Sequence, residues 1–161
     1  MKRGGNLKRT ELKRKTPLRA KAKLSTKVGI ARRKAQSAKR DSQTGPSKLV
    51  VALVFDRDGG CCIRCGTPAR GERGVDYSIH HRAGRQMGGT KRASVNLPSN
   101  LVTTCGNGTQ GCHGWIGANV AEAHRKGLLV LSSLDPKTVV LTTWWGDVLL
   151  DDEGRWTEVP S

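Results

Sequence analysis

The sequence predicts an α+β fold: one small domain pinned by a four-cysteine metal site, with a basic arm before it and strands after it. Three observations carry this expectation. The chain has 161 residues, 35% of them hydrophobic, with one Phe and one Tyr, so a large core is out of reach. Cys62, Cys65, Cys105 and Cys112 form two pairs, which is what a tetrahedral structural zinc needs. After residue 47, short stretches of helical spacing alternate with short strand-like runs. The expected organisation is an arm over 1–47, a domain over 48–127 and a strand-rich extension over 128–161.

Charge separates the arm from the rest. The net charge is +16, yet residues 1–48 hold 17 Lys or Arg against only Glu11 and Asp41. Residues 49–161 hold 12 against 11 Asp or Glu. In the arm, Leu7, Leu12, Leu18 and Leu24 recur at intervals of five and six, which suits neither a helix stripe nor strand alternation. Such a segment cannot bury enough apolar surface to offset its ordering entropy, so it is expected to be disordered when free. The run "IARRKAQSAKR", with Arg32, Arg33 and Lys34, is expected to become helical against a polyanion. So dense a positive block points to the phosphate backbone of nucleic acid. A solubility tail or a contact with an acidic protein is the alternative. No apolar run approaches the ~20 residues that span a bilayer. No apolar stretch follows the charged N-terminus, so no secretory signal is expected. Five cysteines, an odd number, fit a reducing cytoplasm better than a disulfide framework.

The elements follow in order. "KLVVALVFDRDG" reads as a short helix ended by Gly59 and Gly60, with Val51, Val54 and Phe55 on its core side. "VDYSIHHR" alternates as a strand, and "LVTT" is a second. A helix is expected from about Asn119 through "VAEAHRK", capped by Gly127. "LLVLSSL", "KTVVLTTWW" and "GDVLLDD" read as strands, with turns at Asp135-Pro136 and Gly146-Asp147. Trp115, Trp144, Trp145 and Trp156 are expected to pack in core and sheet rather than stack on bases.

The cysteines and histidines carry the chemistry. Cys62 and Cys65 suit a metal knuckle with Gly66 just after it. Cys105 and Cys112 have six residues between them, wider than usual, but "GNGTQG" can loop out there. Free buried thiols or a redox pair are the alternatives, and Cys61 is a bystander. His80 and His81 are adjacent, and His113 follows Cys112 directly. Neighbours on a strand face opposite ways, so both histidines serve one site only where the strand ends or bends. Neutral imidazole is both a metal ligand and a base near neutral pH, and an asparagine amide between them would orient the base.

"IHHR", "GG", "NLPSNLVTTC" and "GCHGW" together resemble the HNH endonucleases, of the zinc-knuckle type common among bacteriophages, over roughly Asp56 to Gly127. The resemblance implies a ββα-metal fold: two short strands, a loop and a helix around one divalent ion. It implies that His81 is the general base and that His80 and His113 hold the catalytic ion, Mg2+, Mn2+ or similar. It implies that Asn100 is the family's asparagine, with Asn96 as the rival. Many relatives carry a further histidine four residues after the last one, where this chain has Gly117. The third ligand would then be water, substrate or Asn119. His124 lies eleven residues from His113, a rise of ~16 Å along a helix, too far to reach the same ion. The implied activity is hydrolysis of DNA, leaving 5′-phosphate and 3′-hydroxyl ends. Lys91 and Arg92, after the Gly88-Gly89 turn, are expected either to hold the backbone nearby or to form a solvated turn. The phage likeness also implies cooperation with a genome-packaging terminase, in the cytoplasm of a bacterial host. A non-enzymatic zinc-bound DNA- or RNA-binding module is the alternative, and Gly117 is its best support.

Overall fold

A computed structural model describes residues 45–85 and 92–160, all within one compact unit spanning residues 39–161. Arg32, Arg33, Lys34 and Lys91, and the order of the arm that contains the first three, lie outside the described residues.

The first helix, α1 (Lys48–Arg57), starts where Ser47 accepts a hydrogen bond from the Val50 amide, and it buries Val54. Its end is stitched to the rest of the domain. Asp58 accepts from the Thr103 amide at 2.6 Å. Arg57 donates to Asp58 and to the carbonyls of Pro98 and Leu101 at 2.7–2.8 Å. Burial raises the Asp58 pKa, and the Arg57 guanidinium opposes that.

Strands β1 (Tyr77–His81) and β2 (Leu101–Cys105) pair antiparallel, with Tyr77 opposite Cys105 and His81 opposite Leu101. Two 3-10 turns, Ala93–Asn96 and Pro98–Asn100, lead into β2. The next helix, α2 (Gly111–Ala118), packs on β2, and α3 (Val120–Arg125) follows after a break at Asn119 (φ −126°, ψ 53°). The sequence predicts a helix only from about Asn119. Its true start at Gly111 is hidden because Gly111, Gly114 and Gly117 have poor helix propensity. Packing overrides propensity here: Cys112 and Ile116 are buried, and a Cβ on Gly114 would meet the Thr109 carbonyl carbon at 2.5 Å.

The last segment corrects two expected strands. "LLVLSSL" is not a strand. Leu128 and Val130 are buried, but their amides bond to the Ala123 and Arg82 carbonyls instead of a ladder. "KTVVLTTWW" yields only β3 (Leu141–Thr142), because Asp135 caps a 3-10 turn over Pro136–Thr138. Strand β4 (Asp147–Leu150) is found where expected, and β5 (Trp156–Glu158) completes the antiparallel order β3-β4-β5. Leu141, Val148 and Leu150 share one core with Ile63, Val102 and Ile116. Trp115 and Trp145 pack against that core, whereas Trp144 and Trp156 are 56% and 41% exposed.

Arg82 ties these parts together. Its side chain is fully buried. It donates to the carbonyls of Gly127 and Val139 at 2.7 Å, Pro136 at 3.0 Å and Ser99 at 3.2 Å. Burial brings its pKa down to about 10, so it stays charged at neutral pH. In an Arg82→Met protein those four carbonyls lose their donor. At about 1–3 kcal/mol for each buried group left unpaired, partly relieved by water, the expected loss is about 3 kcal/mol or more. Urea unfolding followed by circular dichroism measures it. A midpoint equal to that of the wild type would mean that the carbonyls are satisfied without Arg82.

Candidate functional site

The four-thiol group is built by two tight turns. The first follows α1, where the Gly66 amide bonds to the Cys62 carbonyl and the Cys62 amide to the Thr67 carbonyl, both at 2.8 Å. The second joins β2 to α2 and explains the wide cysteine spacing. Residues 106–111 fold back on themselves, so tightly that a Cβ on Gly106 (φ 78°) would clash with the Gln110 carbonyl. Cys105, at the end of β2, therefore meets Cys112 in the first turn of α2, whose amide points at the Cys105 sulfur at 3.4 Å.

The four Sγ atoms lie within 4.8 Å of one another, and Cys65 and Cys105 are 3.8 Å apart. Tetrahedral zinc with bonds of about 2.3 Å requires sulfurs about 3.8 Å apart, so the spacing fits. Burial pushes Cys112 up to about 11 and raises Cys62 as well. Burial also acts to raise Cys65, but hydrogen bonds led by those from Thr67 bring it down to about 6. Thiols packed this closely ionise together only beside a cation, which a metal supplies. Arg64 supports the group from outside. Its Nη1 donates to the Cys112 sulfur at 3.3 Å, and its guanidinium lies 3.7 Å over the Trp115 ring. Cys61 does not belong to the group, as expected.

His113 follows Cys112 in α2, and His80 and His81 end β1. His80 is buried, and its Nε2 bonds to the Leu128 carbonyl at 2.9 Å. A carbonyl only accepts, so Nε2 carries the hydrogen and Nδ1 keeps a lone pair. The His80 and His113 ring centroids are 5.3 Å apart at 68°. Two imidazoles that share one ion stand roughly 5 Å apart, given metal–nitrogen bonds of about 2.1 Å. His113 Nδ1 is buried with no hydrogen-bond partner among the described residues. That orphaned atom and the ring spacing fit a nitrogen-bound cation. Burial lowers the His80 pKa to about 4 and lowers that of His113, so both rings are neutral and available as ligands. The pair offers two donors. Among the described residues only the four thiols bring three or more metal-ligating side chains together.

His81, the last residue of β1, is half-buried and, unlike His80, lines a cleft with His113. Its Nε2 lies 3.0 Å from Oδ1 of Asn96. That oxygen accepts, so Nε2 donates and Nδ1 keeps the basic lone pair. Burial lowers the His81 pKa, the Asn96 bond opposes this, and the charge of Arg85 lowers it further. Asn100, preferred from sequence as the orienting amide, does not bond to His81. It is fully buried and bonds to the Ala83 amide at 2.6 Å, the Ala83 carbonyl at 3.1 Å and the Val95 carbonyl at 2.8 Å. Asn100 thus clamps the chain after β1 to the turn that carries Asn96, and Asn96 bonds to His81.

The remaining candidates are apart from this arrangement. A side chain on Gly117 would meet nothing within 4 Å. The Asn119 amide donates to the Trp115 carbonyl at 3.0 Å and closes the helix end. His124 bonds to the Leu129 carbonyl. Arg92 bonds to the Ser132 carbonyl and lines a different cleft, with Asp135 and Asp152. His81 and His113 line one cleft of about 510 Å³, together with Arg73 and Arg85, which sequence reasoning did not single out. No spacing rule marks these arginines, because the fold brings them there.

No protein-family model, curated protein or solved structure matches this chain.

Proposed function

We propose that the protein is a metal-dependent endonuclease of the HNH type that hydrolyses DNA phosphodiester bonds. The observation that carries this reading is the pair of environments across one cleft. His81 has its Nε2 tied to Asn96, which frees Nδ1, and His113 opposite has an orphaned Nδ1 beside the His80 ring. An antiparallel strand pair followed by a helix carries these residues, as a ββα-metal unit requires. A metal on the four thiols would hold Cys112 and so set the backbone that presents His113.

The chemistry follows from those positions. His81 Nδ1 takes a proton from a water molecule. The hydroxide formed attacks phosphorus, the bond to the 3′ oxygen breaks, and that oxygen is protonated from solvent. His80 and His113 would hold a divalent ion, which would supply Lewis-acid stabilisation of the developing charge. Two imidazoles and no carboxylate suit Mn2+, Co2+ or Ni2+ better than Mg2+. The arm supplies general affinity for the backbone.

Supercoiled plasmid is the direct test. The full chain is expected to nick or linearise it with Mn2+ and to leave it intact without an added divalent ion. Binding, read by fluorescence anisotropy, is expected to fall roughly a thousandfold or more between about 50 and 200 mM salt, as for six or more phosphate contacts. A flat salt profile would remove the arm from DNA binding. Tight, salt-sensitive binding with no cleavage in any of these ions would instead favour a zinc-bound binding module, the reading that Gly117 supports.

A further inference from the structure

Charge distinguishes the histidine-lined cleft from two others in the described residues. One, of about 590 Å³, is lined by Asp147 and Glu158 with no basic side chain. A second balances Arg92 and Lys137 with Asp135 and Asp152. The third carries Arg73, Arg85, His81 and His113 and no carboxylate. Arg73 is exposed and forms no ion pair among the described residues. Its backbone is nonetheless held, by a bridge between Arg73 and Tyr77 and by the Gly74 amide bonding to the Tyr77 carbonyl at 2.6 Å. The side chain therefore stands on a fixed base beside β1. The wall also includes Gly45 and Pro46, directly after the most basic part of the sequence. A cavity of about 510 Å³ is the size that accepts a nucleotide rather than a lone ion.

We propose that Arg73 and Arg85 form a phosphate subsite in this cleft, which seats the phosphodiester neighbouring the one that is cut. The proposal rests on the nuclease reading for its substrate class. Guanidinium groups suit this role because their planar fork of donors matches phosphate oxygens. With the scissile phosphate beside the histidines and its neighbour on the arginines, two successive phosphates fix the direction of the strand. Neither arginine moves a proton in the reaction; both are positioning residues.

The test needs no cleavage, so it separates the subsite from the proposed activity. The chain has four histidines, and His124 does not line the cleft. Histidine ring signals of the zinc-loaded full chain are followed by nuclear magnetic resonance while thymidine 3′,5′-bisphosphate is added without a further divalent ion. Saturable shifts are expected at His81 and His113, with His124 unmoved. Arg73→Gln is expected to weaken this binding roughly tenfold or more, and Arg73→Lys to restore only part of it, because an ammonium keeps the charge but not the planar fork. Inorganic phosphate is expected to bind more weakly than the bisphosphate. Equal affinity for the two would identify a free-anion site and overturn the strand assignment. Uniform shifts at all four histidines, no saturation, or an Arg73→Gln affinity within twofold of wild type would overturn the subsite itself. Should the bisphosphate bind as expected while plasmid stays uncut, the subsite stands and the nuclease reading falls.

Discussion

His81→Ala protein is expected to cleave plasmid DNA about a hundredfold to ten-thousandfold more slowly than wild type, the usual loss when a general base is removed. Its zinc content, circular dichroism and DNA affinity should stay near wild type. His81 is half-buried at the end of β1 and, among the described residues, its ring bonds only to Asn96, so truncation is expected to break little of the fold. The two asparagines sharpen the test. Asn96→Ala removes the oxygen that holds Nε2–H, so the turnover rate should drop. Asn100→Ala leaves three buried backbone groups without their partner, so its first effect should be a lower unfolding midpoint. Wild-type turnover in a clean His81→Ala preparation would remove the mechanism. Reversed behaviour of the two asparagines would restore Asn100 as the orienting residue.

Cys65→Ser is expected to lose bound zinc and, with it, cooperative folding. A structural zinc contributes about 10 kcal/mol or more to folding. A domain of this size has a net stability of only about 5–15 kcal/mol, so the margin vanishes. The site joins the turn after α1 to the junction of β2 and α2, so its loss frees both and releases His113 as well. Cys61→Ser should retain one zinc per chain and melt near wild type, because Cys61 stands outside the thiol group. Elemental analysis beside a thermal melt reads both variants. Folded wild-type protein without zinc, or a zinc-loaded and cooperative Cys65→Ser, would contradict this assignment.

Sequence alone determined the α+β class, the helix from Lys48, the strands that carry His80–His81 and "LVTT", and the four cysteines that converge. These are local or covalent signals: a cap, an alternation, a run of thiols whose chemistry needs partners. The tertiary structure decided the rest. The helix at Gly111 exists because packing outweighs its glycines, and no propensity scale sees that contact. "LLVLSSL" is apolar because Leu128 and Val130 are buried, and an apolar run looks the same whether a ladder or a core takes it. Asn96 and Asn100 are four positions apart in similar surroundings. Which amide bonds to His81 depends on two 3-10 turns that carry no period. Arg82 reads as one more surface charge until the fold surrounds it with carbonyls. Arg73, before β1, and Arg85, after it, likewise come to line one cleft only in the fold. Residue type and spacing set which chemistry is available; contacts distant in sequence decide which copy of a residue performs it.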